Sequence, residues 1–575
     1  MYTDVMTEIA RFKAGRIHVA RAGLATQARL CVDMLQQGRG MAWVVKNRDE
    51  LLTARALMRL FSPELSSGDF LPDALDKGGW TSLPPFSPRS ANREGWTERL
   101  SALYALRSGQ AKGLILTADN LLPKLVPLDF FENREVTLMR GEDVSLDMIL
   151  EQVVEWGYER VSMVSNPGEI ARRGDILDIM PPGYDKPVRL DFFGDLIEEI
   201  RLFDPVSQRS KANLSEVRVL PVSPIRQSPA DQAKMQARWK SLFQKNMLTE
   251  NERFGLTRLQ EQGDFRLLPG CCYDTATNLE AWLPADTVWV LPGLSDFRDM
   301  LSSAERLWTE AFEAQDVEGR PQPQRLAMRE ASDVESACER FACVHAEPLV
   351  MGIAKGIHDL PERSLSSFED LFPSTAEQDR PWQTLVQALK RWQNDKRQTI
   401  LCFASEKSRT KFLNLASQDG LSPLLRYSGE QHGLFALVAP FRAGAELIWD
   451  QSLILGEDLL QPHAEKSRRV PTGAFKGLDR YDELKPGDLL VHRDYGIARF
   501  GGLLRMETGS TANDFLLLHY SGDDRLYVPV DRLSLIQRFK GGGEAQPSLD
   551  RLGGGAWQSG KEKASKARKN RRRPD

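Results

Sequence analysis

Few side chains in this 575-residue chain carry reactive chemistry, and their spacing argues against a catalytic centre. Cys338 and Cys343 stand near His345, but no second cysteine pair completes a four-ligand zinc set. None of the six cysteines lies in a Cys-x-x-Cys pair, so they read as reduced thiols of a cytoplasmic protein. His492 and Asp494 are two apart with no nucleophile in view, which favours a structural role over acid–base work. The turn "ARAGLATQ" offers Gly23 and Thr26 in a position where a phosphate loop would end in Gly-Lys-Ser/Thr, yet no lysine follows. The apolar stretch "ADTVWVLPG" runs into Leu291, Pro292 and Gly293, where an ATPase places an acidic pair for magnesium. The expectation is no catalytic residue, no cofactor and no metal in this chain.

A different kind of residue stands out in "KPVRLDFFGD", Lys186 to Asp195. In a strand, alternate side chains share a face, so Val188, Leu190 and Phe192 make an ordinary core face. Arg189, Asp191 and Phe193 then share the other. A rigid aromatic beside an arginine on a charged face has the composition of an interface hot spot. The competing reading is that Phe193 tucks under a neighbouring hairpin and only packs.

The elements that position these residues follow from periodicity. "RIHVA", "GLATQARLCVDMLQQ", "GMAWVVKN" and "RDELLTARALMRLF" alternate strand and helix, a βαβ pattern that implies a parallel sheet. "DMILEQVVEWGYERV" predicts a helix, and the strands after it are separated by "NPGE", "PPGYD", "FGD" and "DPVSQRS", as in an antiparallel α+β insert. "ADQAKMQARWKSLFQKNMLTENERFGLTRLQEQ" returns to helix, and "QTILCFASEKSRTKFLNLASQ" predicts a strand then a helix. Short strands between 484 and 540, with turns at "RDYG", "ETGSTAN" and "SGDD", fit a small barrel. There Gly501 and Gly502 permit a bulge, and Leu504 and Met506 lie two apart on one strand face. The net charge of −4 gives no global signature of nucleic-acid binding. No uninterrupted apolar run has membrane-spanning length, so no membrane contact is expected, and the N-terminus lacks the apolar block of a secretory signal.

Two stretches carry a resemblance. "RRGDILDIMPPGYDKPVRLDFFGDLIEEIRLFDPVSQRS" resembles the UvrA-binding domain shared by UvrB and the bacterial transcription-repair coupling factors (Mfd). "LKPGDLLVHRDYGIARFGGLLRM" with "DRLYVPVDRLSLIQRF" resembles the RNA-polymerase-interacting domain of the same family, found also in small transcription regulators. The resemblance implies a multidomain α/β and α+β protein. A UvrB-like βαβ domain spans 1–131 and 223–324, with the UvrA-binding α+β insert at 132–222. A further α/β domain of unreadable role covers 325–455, and a linker 456–483. An SH3/Tudor-like β-barrel occupies 484–545, and a basic tail 546–575.

The resemblance further implies that Arg173, Arg189 and Phe193 contact UvrA, and that Leu504, Arg505 and Met506 contact RNA polymerase through its β subunit. Alternation supports Arg189 and Phe193. Arg173 rests on the resemblance, because "RRGDILDIM" fits neither strand phase. The family continues into motor domains that use ATP and magnesium to translocate on DNA, and into a domain that masks the UvrA-binding face. This sequence shows no motif of such a motor. The tail residues Lys561, Lys563, Lys566, Arg568, Lys569 and Arg571 to Arg573 have the charge to touch the phosphates of double-stranded DNA, with a solvated tail or linker stub as the favoured reading. The expected function is an adaptor in transcription-coupled nucleotide-excision repair that binds stalled polymerase and recruits UvrA. The alternatives are a polymerase-binding regulator without a repair role, and one half of a split DNA translocase.

Overall fold

The structure is a computed structural model. It describes residues 2–11, 14–61, 79–87, 91–205, 208–319, 321–347, 357–374, 380–427, 432–460, 487–492, 496–508, 511–521, 525–529 and 536–538. The chain divides into two compact units, Met1–Pro462 and His463–Asp575.

The first unit is built around a seven-stranded, all-parallel sheet. Its strands are β1 (Gly15–Ala20), β2 (Met41–Val45), β3 (Trp80–Leu83), β4 (Gly113–Thr117), β13 (Val288–Pro292), β14 (Ala342–Glu347) and β15 (Ile357–Asp359). The order is β15-β1-β14-β13-β2-β4-β3. Helices α1 (Tyr2–Arg11), α2 (Leu24–Gln36), α3 (Arg48–Phe61) and α4 (Arg93–Arg107) flank it in sequence. β2, β4 and β13 are buried at every position, as a parallel sheet covered on both faces requires. Alternate residues feed two separate cores: Ala42, Val44 and Leu114 one, Trp43, Val45 and Ile115 the other.

The expected βαβ start is present, but β1 and β2 are not neighbours. β14 and β13, from about 300 residues later, lie between them. β14 and β15 fall inside the 325–455 stretch that the sequence assigned to a separate domain, yet they complete the first sheet. The remainder of that stretch forms a five-stranded mixed sheet. Its strands are β16 (Glu362–Leu365), β17 (Gln398–Phe403), β18 (Leu434–Val438), β19 (Gly444–Leu447) and β20 (Ser452–Gly456). One face packs Leu401, Phe403 and Leu455 against helices Pro381–Asn394 and Glu406–Gln418. The other face sends Ile400, Phe435 and Ile454 into a core that also contains Ile17, Ala25 and Trp43. Shared burial, not a linker, joins this sheet to the first.

Between β4 and β13 the chain leaves the body to form an α+β insert. Its six-stranded sheet runs β11-β10-β9-β8-β7-β6. The strands are β6 (Glu159–Arg160), β7 (Glu169–Arg173), β8 (Ile176–Ile179), β9 (Val188–Phe193), β10 (Leu196–Phe203) and β11 (Ser210–Leu214). All pairs are antiparallel except β6–β7. A two-stranded ribbon, β5 (Val136–Met139) with β12 (Glu216–Val219), closes the insert at its base. Helix α5 (Leu146–Glu155) puts Leu146, Ile149, Leu150 and Val153 on the apolar face formed by Ile170, Leu177, Leu190 and Ile200. Beyond the insert the long predicted helix is two helices, Pro229–Gln244 and Glu250–Glu261. A capping box of Thr249 and Glu252 starts the second, so the break is encoded locally.

The second unit is a five-stranded antiparallel sheet, β24-β23-β22-β21-β25. Its strands are β21 (Leu489–His492), β22 (Gly496–Thr508), β23 (Thr511–His519), β24 (Arg525–Pro529) and β25 (Ile536–Arg538). β24 and β25 are its edges, and among the described residues no pairing joins them into a closed barrel. Leu490, Ala498, Phe500, Leu516, Leu518, Tyr520 and Ile536 form its core.

Candidate functional site

The three residues assigned to UvrA contact lie on one face of the six-stranded sheet. The ladder places Arg173 opposite Ile176 and Ile176 opposite Asp191, while Asp178 stands opposite Arg189. Directly paired residues share a face, so Arg173, Asp178, Arg189, Asp191 and Phe193 all point away from α5. One tight hairpin explains why one strand phase fails for "RRGDILDIM". The turn at Gly174 and Asp175, with Gly174 at φ 62°, splits it into β7 and β8.

Phe193 is the most exposed large hydrophobic side chain among the described residues, at 73%. It does not tuck under a hairpin. It ends β9 and pairs with Leu196 across the turn at Gly194 and Asp195. Gly194 takes φ 63° at the first turn position, where a type II′ hairpin calls for glycine. The tip is braced from the side as well: Val144 N donates to Asp195 O (2.7 Å), Ile197 N to Glu142 O (2.9 Å) and Gly141 N to Ile197 O (2.8 Å).

Arg189 is committed inside the protein. Its Nε and Nη2 donate to the two carboxylate oxygens of Asp178, at 2.7 and 2.8 Å, and Nη2 also reaches Gln208 Oε1 at 3.1 Å. Its guanidinium lies 4.4 Å from the ring centroid of buried Phe203. Asp178 is 2% exposed, and its hydrogen bonds raise the Arg189 pKa further above its ordinary value. Arg201 makes a similar pair with Asp191 and a looser one with Glu199 at 3.5 Å. Arg173 is exposed and donates from Nη2 to the Ser162 carbonyl at 2.7 Å.

The turn between β1 and α2 shows something the sequence did not signal. The N-terminus of α2 presents unpaired N–H groups toward the C-terminal ends of the parallel strands, the place where such a fold holds phosphate. The carboxylate of Glu362, on β16, occupies it. Ala25 N donates to Oε1 (3.2 Å) and Thr26 N to Oε2 (2.7 Å). Burial raises the Glu362 pKa above the usual carboxylate range, opposed by these hydrogen bonds. A Cβ on Gly23 would come within 2.4 Å of that carboxyl group, so this glycine serves an internal carboxylate. Only the fold brings residue 362 to residue 25, so no local motif could have disclosed the contact.

His345 is 2% exposed. Its Nδ1 lies 3.2 Å from the Pro292 carbonyl, and burial lowers its pKa, which keeps it a neutral core residue. Cys338 and Cys343 are buried free thiols with raised pKa values, again from burial. Among the described residues no group of three or more His, Cys, Asp or Glu is arranged to hold a metal ion. No helix among them is long and apolar enough to cross a membrane.

In the second unit, the register of β22 slips between Phe500 and Gly502, the bulge that the paired glycines anticipated, and Gly502 takes φ 130°. Beyond it Leu504 pairs with Phe515, Arg505 with Asp514 and Met506 with Asn513. Leu516 and Leu518 are core residues of β23. By alternation, the backbone positions of Leu504 and Met506 therefore fall on the opposite face from that core. His492 ends β21. Asp494, the linker from 461 onward and the basic tail lie outside the described residues.

Comparison with known proteins identifies two domains. Residues 136–224 match the UvrB interaction domain, and residues 484–540 match the CarD-like/TRCF RID domain. The transcription-repair-coupling factor of Myxococcus xanthus is 30% identical over 529 residues, covering 83% of this chain and 42% of the relative. That of Escherichia coli is 28% identical over 518 residues, covering 84% and 42%. That of Staphylococcus aureus is 24% identical over 492 residues, covering 82% and 41%. The chain thus spans about two fifths of the length of the curated relatives it matches. Over that span it is similar to the N-terminal part of the transcription-repair-coupling factors, with a UvrB interaction domain and a CarD-like/TRCF RID domain.

Proposed function

We propose that this chain is a two-site adaptor in transcription-coupled nucleotide-excision repair. The insert docks on UvrA through the Phe193 hairpin tip. The second unit, its sheet curling into a small SH3/Tudor-like barrel, docks on RNA polymerase around Leu504, Arg505 and Met506. The observation that carries the reading is Phe193, held at 73% exposure on a braced turn inside the UvrB interaction domain. Exposing a large aromatic leaves its apolar surface in water, and a partner that buries it recovers that free energy. ATP and magnesium belong to the motor of the longer family proteins. This chain by itself neither binds nor hydrolyses ATP, a reading supported by the missing lysine after Gly23 and by the carboxylate already seated at the α2 N-terminus.

Titration of UvrA against the purified chain, without polymerase, DNA or ATP, tests the first contact. Saturable binding is expected, and its absence removes UvrA from the proposal. For the second contact, Met506→Arg is expected to abolish co-purification with RNA polymerase and leave the melting of residues 463–575 unchanged. A charge buried unpaired at an interface is costly, whereas the same change in a core would collapse the melt. Steady ATP turnover by the purified chain, above a matched blank preparation, would refute the absence of nucleotide chemistry.

A further inference from the structure

The outward face of the six-stranded sheet satisfies most of its charge internally. Asp178 and Arg189 form a two-point pair, and Arg201 answers Asp191 and Glu199. Nε and Nη2 of Arg189 are engaged by Asp178 and Gln208, and among the described residues Nη1 keeps its two donors. The rest of what the face leaves open is apolar. Leu196, 39% exposed, is the direct cross-strand neighbour of Phe193, so the two side chains share a face at the hairpin tip. Both flank a two-residue turn whose second strand is pinned to Glu142 and Val144, so the pair is presented at small cost in conformational freedom. Arg173 lies on the same face with no carboxylate partner among the described residues, at the tip of the adjacent hairpin. Two strand spacings of about 4.8 Å and two residues of about 3.3 Å place it about 12 Å from Phe193 between Cα atoms.

We propose that Leu196 is the second apolar anchor of the docking surface. This rests on the reading that the insert docks on UvrA. The matching surface on UvrA is an apolar slot that takes Phe193 and Leu196 together, with a carboxylate about 12 Å away for Arg173. The Arg189–Asp178 pair ties β8 to β9 and covers Phe203, which holds the strand that ends in the Phe193 tip.

The test is titration of UvrA from the same organism against the full chain and two variants, with a thermal melt of each. Leu196→Ala is expected to melt as the wild type and to bind on the order of 10-fold more weakly. Wild-type affinity for Leu196→Ala, in a titration where Phe193→Ala binds weakly, overturns the second anchor. Failure of the wild-type chain to bind UvrA at all would instead remove the underlying reading, and is told apart because no variant is then needed.

Discussion

The α2 N-terminus and the Phe193 hairpin tip are both places where the fold leaves a group without a local partner. At α2 the groups are backbone N–H donors at the positive end of a helix dipole, and the chain supplies its own anion, Glu362. At the hairpin tip the groups are apolar side chains in water, and among the described residues the chain supplies nothing to cover Phe193. A need answered from within is architecture. One left open on a braced turn is where a partner has something to gain. The same contrast holds inside the insert: Arg189 is answered by Asp178, whereas Phe193, on the same face, is not.

The largest effect that sharpens this comparison should come from the answered side. Arg189→Ala leaves the Asp178 carboxylate buried without its cation. It is expected to destabilise the insert by about 3–5 kcal/mol, read as lost amide-exchange protection in β8 and β9. A change within measurement error would mean that the pair is not the internal tie described. On the open side, Phe193→Ala is expected to leave the melt unaltered and to weaken UvrA binding by ~2 kcal/mol, or ~30-fold. An unfolded Phe193→Ala protein would show the ring to be packing after all.

Glu362→Ala removes the acceptor from two helix-start donors. A cost of about 0.5–2 kcal/mol is expected, the usual scale for a lost N-cap. Faster amide exchange at Ala25 and Thr26, with the insert unaffected, is the signature. The smallest effect is a pH dependence. Burial raises the folded-state pKa of Glu362, so the folded chain holds this proton more tightly than the unfolded chain. The stability linked to it is therefore full below the ordinary glutamate range and lost as pH rises through the raised value. The melting temperature of the wild type relative to Glu362→Gln, which cannot titrate, should accordingly improve as pH falls through that window. A constant difference across the window would place the Glu362 carboxyl in an ordinary, solvated setting.

Local periodicity determined a good deal of this molecule. Alternation along Val188–Phe193 put Phe193 outside, because a strand has only two faces and three apolar residues had claimed one. The adjacent glycines at 501 and 502 announced the β22 bulge, because a residue at φ 130° is strained unless it lacks a Cβ. The missing lysine after Gly23 argued against a nucleotide cradle, since phosphate there needs a cation in reach. Tertiary structure alone decided the rest. The Arg189–Asp178 pair was hidden because its members lie on neighbouring strands, β9 and β8, whose register no local pattern shows. β14 and β15 looked like part of a later domain because parallel pairing carries no local signal; their place in the first sheet depends on strands about 300 residues upstream. The Glu362 contact spans 337 residues. A helix start asks for an anion but does not specify which one, and only the packing of the five-stranded mixed sheet on the first delivers that carboxylate.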